Sequence, residues 1–290
     1  MVYKKVAIFG VGLVGGSIGL ALKERKLTEE VIGVSRRLET LKKARALKLI
    51  DSYTLDPKEA FSGADLIVLA APPAAVIGLL KTGLDFLEGR YIITDACSTK
   101  KKIVSAADDF LPETIFFVGG HPIAGSEKSG PEAATADLFE DRVTILTPTS
   151  KTDPAALETV RKLWENLGSR VFLLSPSEHD RILAATSHVP HLLAVIATLL
   201  LKRSPFAEKR EFVGTGFRDV SRTAAGEPSV WKEVFLTNAD NIRKDLTSLE
   251  RLLAEWKEAL ERGDGDYIQN VLEEASGFRK TLFSDEEGKE

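Results

Sequence analysis

The stretch Val6-Ala7-Ile8-Phe9-Gly10-Val11-Gly12-Leu13-Val14-Gly15 decides how the rest of the chain is read. Four apolar residues run without polar alternation into a glycine-rich turn, after which Val14, Ile18 and Leu22 recur every four residues. The unbroken run suits a strand covered on both faces, and the recurrence marks one face of a helix. Strand, G-x-G-x-x-G turn and helix in that order make a dinucleotide-binding fingerprint. Gly10 then permits the tight turn, Gly12 lets the backbone approach a pyrophosphate, and Gly15 lets helix and strand pack closely. The helix that Leu13 and Val14 open offers unpaired N–H groups to the phosphates.

Outward from this turn, further apolar runs follow at Val31–Val34, Leu66–Ala70, Tyr91–Thr94, Ile115–Val118, Val143–Leu146 and Val171–Leu174, separated by amphipathic stretches. This alternation predicts a doubly wound α/β sheet of the Rossmann type over residues 1–175. After Ser175 the texture changes: Pro176 opens a long helical region, and no convincing strand follows. Ile242, Leu246, Leu249, Leu253, Trp256 and Leu260 alternate spacings of four and three, the seam that helices use to pack on one another. Residues 176–290 are therefore expected to form an all-helical domain that binds substrate and builds a homodimer. The polar tail from Ser284 to Glu290 is expected to fray.

Composition narrows the function. Of 290 residues 43% are hydrophobic, enough for a real core, so disorder is excluded. The net charge of −4 argues against nucleic acid as a partner. Cys97 is the single cysteine, which rules out an intrachain disulfide and suits a reduced, cytoplasmic setting. Lys4 and Lys5 before an uncharged stretch mimic a signal peptide, but the five glycines from Gly10 to Gly19 are poor material for a membrane-engaging helix. Val189–Leu201 is apolar yet shorter than the roughly 20 residues a span requires, so no membrane contact is expected.

Two further segments speak to chemistry. The second strand ends in Ser35-Arg36-Arg37, where coenzyme sites for NAD commonly carry a carboxylate. Two guanidiniums there can grip a 2′-phosphate, so NADP is expected over NAD, unless both arginines merely solvate the next helix. The loop Gly119-Gly120-His121-Pro122-Ile123-Ala124-Gly125-Ser126-Glu127-Lys128-Ser129-Gly130 follows the strand Ile115–Val118. Ligands in open α/β sheets sit beyond the carboxyl ends of the strands, so His121 is expected to face the nicotinamide crevice, where a neutral imidazole can accept a hydroxyl proton as hydride leaves the same carbon. A loop histidine tied to backbone groups is the alternative.

With that loop, the segments Asp95-Ala96-Cys97-Ser98-Thr99-Lys100, Ser187-His188-Val189-Pro190-His191 and Gly216-Phe217-Arg218-Asp219-Val220-Ser221-Arg222, and Trp231 after them, the chain resembles the prephenate/arogenate dehydrogenase family over most of its length. The resemblance implies a specific reaction, the oxidative decarboxylation of a cyclohexadienyl acid to a phenol in tyrosine biosynthesis. It implies His121 as the proton acceptor, Ser98 as a serine orienting that histidine and the hydroxyl, and Arg222 as the partner of a substrate carboxylate. His188, Ser126 and Glu127 would line the pocket around the substrate side chain. Prephenate is expected over arogenate, whose ammonium group would want an acid such as Glu127.

Other readings stay open at this point. Ser98 could be no more than the N-cap of a helix over Thr99–Asp109. Lys100-Lys101-Lys102 reads as a solvated helix start without a role. His188 and His191 stand three apart, as a metal pair can, but no third ligand is evident and no metal is expected. Cys97 is a buried filler in preference to a nucleophile. A dehydrogenase of β-hydroxy acids or a nucleotide-sensing regulator would share the fingerprint without the His121 loop.

If Arg36 grips a 2′-phosphate, Arg36→Ala should weaken NADP binding by about tenfold or more, the scale of one charge-assisted contact, and leave NAD unchanged. Coenzyme titrations of both proteins check this; equal affinities untouched by the substitution would contradict it.

Overall fold

The computed structural model describes residues 2–82, 84, 86–125 and 128–284. Its eight strands are β1 (Tyr3–Phe9), β2 (Thr28–Val34), β3 (Ser52–Thr54), β4 (Leu66–Leu69), β5 (Tyr91–Asp95), β6 (Ile115–Pro122), β7 (Val143–Thr147) and β8 (Arg170–Leu173). They form one sheet in the order β3-β2-β1-β4-β5-β6-β7-β8. Every neighbouring pair is parallel except β6 and β7, which run antiparallel with His121 opposite Ile145. The crevice of such a sheet lies where the strand order reverses, between β1 and β4.

Successive residues of each strand face opposite sides, so each side has its own core. Val6 and Ile8 of β1, with Leu66 and Val68 of β4, pack with Ile18 and Leu22 of α1 (Leu13–Glu24), Leu41 of α2 (Leu38–Ala46) and, further along, Trp164 of α6 (Pro154–Asn166). Ala7, Ile67 and Leu69 face the other side. There they meet Phe61 of α3 (Pro57–Phe61), Val76 of α4 (Pro73–Thr82) and Ile103 of α5 (Lys101–Phe110). Helices cover both faces, which is the doubly wound architecture the apolar runs predict.

The structure corrects the sequence reading in three places. The short edge strand β3 was not anticipated, because three half-buried residues, Ser52-Tyr53-Thr54, carry no apolar run. β6 does not stop at Val118; it runs on through His121 to Pro122, so the histidine stands on a strand and not in a loop. Gly119 and Gly120 make this possible. A Cβ on Gly119 would lie 2.4 Å from Thr147 Oγ1, and one on Gly120 would lie 2.7 Å from the Asp95 carbonyl. Third, Lys100 is no solvated helix start but is wholly buried. Its ammonium pairs with the Asp95 carboxylate and donates to the Gly120 carbonyl at 2.6 Å.

After β8 the chain is helical. α7 (Pro176–Leu183) begins with a capping box in which Ser175 and Glu178 satisfy one another's backbone N–H. A π-helical turn (Ala184–His188) then leads into α8 (Val189–Arg203). The run Pro176–Arg203 is thus longer than its apolar centre suggests, and by length and composition alone it could cross a membrane. Its buried polar residues His179, Asp180, His188 and His191 are instead turned into the protein. α9 (Thr215–Ser221), a 3-10 turn (Arg222–Ala225) and α10 (Pro228–Thr237) follow. The turn and α9 pack on α8.

By packing, the chain divides into two units, Met1–Ile242 and Arg243–Glu290. The second comprises most of α11 (Ala239–Arg262) and all of α12 (Gly265–Phe283), joined at Gly263, whose φ of +64° suits glycine. Tyr267 donates its hydroxyl to Glu255 across this hairpin. The predicted seam is continuous on α11, but Leu253 and Leu260 remain exposed, as do Leu272, Phe278 and Leu282 of α12. The tail expected to fray lies, beyond Ser284, outside the described residues.

Removing one member of a buried ion pair leaves the other charge without a counterion, at a cost of about 3–5 kcal/mol. Lys100→Met should therefore lower unfolding stability by about that amount, whereas Lys101→Met on the exposed face should change it by less than about 0.5 kcal/mol. Denaturant unfolding of the three proteins checks the difference.

Candidate active site

The turn between β1 and α1 has the form of a phosphate cradle. Gly10 has φ +97°, and a Cβ there would lie 2.4 Å from the Ala70 carbonyl on the loop after β4. A Cβ on Gly15 would lie 1.9 Å from the Gly10 carbonyl, so α1 can approach β1 only with glycine there. Around Gly12, by contrast, no heavy atom lies within 4 Å of where a Cβ would stand. Gly12 caps α1 without a side-chain hydrogen bond, and Leu13 and Val14 begin the helix. Tight packing on two sides and open space on the third fit a pyrophosphate laid against the helix amino end. At the end of β2, the half-buried Ser35 hydroxyl accepts the Arg37 N–H at 3.4 Å. Arg36 and Arg37 are exposed, and neither forms an ion pair among the described residues.

A second constellation is built at the carboxyl ends of β5 and β6. Asp95 closes β5 and holds three groups at once: the Lys100 ammonium, the Cys97 N–H at 3.0 Å and the Gly120 N–H at 3.0 Å. The loop after β5 and the end of β6 are thereby locked together one residue before His121. Burial pushes the Cys97 thiol well above its ordinary range, so it stays protonated and is no nucleophile. His121 itself is buried, with Nδ1 2.8 Å from Nε2 of His179 on α7. His179 Nδ1 stands 2.8 Å from the Asp180 carboxylate. Asp180 also accepts the N–H groups of Lys100 at 2.7 Å and Lys101 at 3.0 Å.

Asp180, from the helical half, caps α5; the helix starts at Lys101 and Ser98 is not its N-cap. Ser98 is half-buried on the loop after β5 and makes no hydrogen bond to a described residue, while His121 Nδ1 is engaged by His179. His121 stays neutral well below the ordinary imidazole range, first because it is desolvated and then because His179, Lys100 and His188 stand near.

The helical half supplies the other wall. His188 closes the π-helical turn, buried, and its Nδ1 accepts from the Asn238 amide at 3.0 Å. The same amide donates to the Asp180 carbonyl at 2.7 Å. With Nδ1 accepting, the proton of the neutral ring sits on Nε2, which makes His188 a donor. Burial pushes its pKa down to about 4. His191 stacks on Trp231 with ring centroids 3.4 Å apart, and the two rings tilt against Phe235. That stack commits the His191 ring to an aromatic cluster beside His188. Arg222 is exposed on the 3-10 turn that packs on α8 and pairs with no acid among the described residues. Ser126 and Glu127 lie outside the described residues.

Sequence reasoning missed His179, Asp180, Asn238 and the burial of Lys100. One signal was available. The box Ser175-x-x-Glu178 fixes the start of α7, and from there His179 and Leu183 fall on one face, both buried.

A glycine cradle at the switch point of a parallel sheet, with a buried neutral imidazole at the end of a nearby strand, defines a dinucleotide-dependent dehydrogenase. Comparison with known proteins makes this specific. Residues 18–173 match the family "Prephenate dehydrogenase, nucleotide-binding domain", and residues 175–274 match "Prephenate dehydrogenase, dimerization domain". The cyclohexadienyl dehydrogenase of Zymomonas mobilis is 35% identical over 98% of both chains. The prephenate dehydrogenase of Bacillus subtilis is 33% identical over 96% of this chain and 76% of its own. A crystal structure of prephenate dehydrogenase from A. aeolicus, in complex with hydroxyphenyl propionate and NAD+, superimposes with a TM-score of 0.88 at 32% identity, over 97% of this chain and 99% of that one. The chain belongs to the prephenate dehydrogenase family.

The depressed histidines make stability depend on pH. For His188 the unfolded ring titrates near 6.5 and the folded ring near 4, so between these values the unfolded state binds more protons. Stability is then complete above about pH 6.5 and is lost as pH falls towards 4, by roughly 3 kcal/mol from this ring. Urea midpoints between pH 7 and 4 should fall less steeply in His188→Asn, whose amide oxygen can still accept from Asn238.

Proposed function

We propose that this protein catalyses the oxidative decarboxylation of prephenate to 4-hydroxyphenylpyruvate in tyrosine biosynthesis, using NADP or NAD. The observation that carries the proposal is the buried neutral imidazole of His121, fixed at the end of β6 beside the loop that Asp95 and Lys100 lock. Family membership supplies the substrate class. Gly10, Gly12, Leu13, Val14 and Gly15 would hold the pyrophosphate, and Ser35, Arg36 and Arg37 the ribose end, with the two guanidiniums favouring NADP. When bound, the nicotinamide would supply the hydride acceptor for the substrate ring.

The chain's own part is positioning and proton transfer. His121 takes the proton of the ring hydroxyl as hydride leaves the same carbon. The ring carboxylate departs as carbon dioxide and its bonding pair restores the aromatic ring. The proton held on His121 can then return to the phenolate, so the step needs no net acid or base. Arg222, unpaired by any described acid, would grip a substrate carboxylate through its bidentate fork. His188, with Nε2 as donor, together with Ser126 and Glu127, would line the side-chain pocket. Ser98 would contact the hydroxyl of the substrate.

Residues 176–290 form the substrate-binding and dimerising part in this account, with residues 1–175 binding the coenzyme. The apolar surface of Leu253, Leu260, Leu272, Phe278 and Leu282 suits a homodimer, in keeping with the dimerization-domain match. In this account the exposed apolar helix surface meets a second copy of the chain, and the enzyme works in the cytoplasm. No nucleic acid or metal enters the scheme.

An assay of coenzyme reduction that crosses prephenate and arogenate with NADP and NAD tests the assignment. Turnover should be fastest with prephenate and NADP; a preference for arogenate would move the substrate to the amino acid. His121→Asn, which keeps an amide near the Nδ1 position but removes the base, should lower kcat by about 10²–10⁴-fold. Arg222→Ala should act mainly on the KM for prephenate. Near-normal turnover of the His121 variant would overturn the mechanism.

A further inference from the structure

Behind His121 stand two buried groups that the reaction as described leaves unused. His121 Nδ1, His179 Nε2, His179 Nδ1 and the Asp180 carboxylate follow one another at 2.8 Å and 2.8 Å. The donors along this line follow from chemistry. Burial alone would raise the Asp180 carboxyl, but hydrogen bonds from His179 and from the Lys100 and Lys101 amides bring it below its usual range, so it is ionised and can only accept. His179 Nδ1 must therefore carry a proton. Burial holds the His179 ring neutral, which leaves its Nε2 as a bare lone pair. The hydrogen between the two rings then belongs to His121 Nδ1, and His121 Nε2 is the unprotonated nitrogen.

We propose that His179 and Asp180 are positioning residues that hold His121 in the Nδ1–H tautomer, so that Nε2 is the nitrogen that takes the substrate hydroxyl proton. The proposal rests on the reading of His121 as that base. When Nε2 takes the proton, one O–H bond of the substrate breaks and one N–H bond forms. The resulting imidazolium keeps its Nδ1–H on His179, and no proton moves along the line. The intermediate histidine has a physical purpose. A carboxylate directly against His121 would stabilise its charged form, whereas a neutral imidazole orients the ring without adding that charge. Asp180 also caps α5, so the helix that follows the Asp95–Lys100 lock and the tautomer of the base depend on the same carboxylate.

The chain has four histidines, so long-range 15N–1H correlation spectra of the full-length protein can assign each ring. The expected pattern is Nδ1–H for His121 and His179 and Nε2–H for His188. His121 in the Nε2–H form would overturn the proposal without any variant. In Asp180→Asn the new amide can donate to His179 Nδ1 and reverse both rings, so His121 should move towards Nε2–H and kcat should fall about 100-fold or more, as wrong tautomers do in other base-dependent enzymes. His179→Phe should lower kcat at least about tenfold while the KM values for prephenate and coenzyme stay within about twofold. His179→Gln, whose amide reaches the Nε2 position, should recover part of that loss. Wild-type kcat in His179→Phe, with His121→Asn inactive, would overturn this inference alone; full activity in His121→Asn would overturn the reading of the base beneath it.

Discussion

The buried ammonium of Lys100 ties the structure of this site together. It pairs with the Asp95 carboxylate and donates to the Gly120 carbonyl, with none of the three exposed to water. Desolvating two charges is expensive, and the cost is offset only where the remaining hydrogen-bonding capacity is also met. Here it is: Asp95 accepts the Cys97 and Gly120 N–H groups as well. The consequence is geometric. The end of β5, the turn that follows it and the last residues of β6 cannot shift independently, and His121 is the next residue along β6.

The helical half is fastened to this lock through polar contacts. Asp180 caps α5, Asn238 bridges the Asp180 carbonyl and His188 Nδ1, and the Thr99 and Thr237 hydroxyls meet at 2.9 Å. Two of them also bear on where a proton sits. Asn238 makes His188 a donor through Nε2, and in the proposed tautomer Asp180, acting through His179, leaves His121 Nε2 as an acceptor. In the proposed mechanism the sheet carries the base, and the helices after it set which of its nitrogens is available. That division explains why a dehydrogenase sheet and a helical partner belong to one catalytic unit.

The parts of this account legible in the sequence are those set by local pattern. The turn at Gly10, Gly12 and Gly15 is visible because its demands, a positive φ and close backbone approach, fall within a few residues. Apolar runs disclosed seven of eight strands; the edge strand β3 has too little buried surface to leave a mark. His121 stood out through its resemblance to a family loop, but its place on a strand depends on antiparallel pairing with β7, which no local pattern encodes. Lys100 illustrates the limit most sharply. In sequence it is one of three adjacent lysines, and only the fold distinguishes the buried one from its exposed neighbours. His179 meets His121 across 58 residues and Asp180 meets Lys100 across 80, distances over which spacing conveys nothing.

The central claim is that His121 presents a bare Nε2 to the carbon-bound hydroxyl while Nδ1 remains committed to the helical half. A crystal structure of the enzyme with coenzyme and a para-hydroxyphenyl carboxylate bound tests it most directly. The account predicts the phenol oxygen at hydrogen-bonding distance, about 2.6–3.2 Å, from His121 Nε2, with the His179 contact intact. A phenol oxygen bound elsewhere, or a His121 ring turned away from His179 to reach it, would contradict the account.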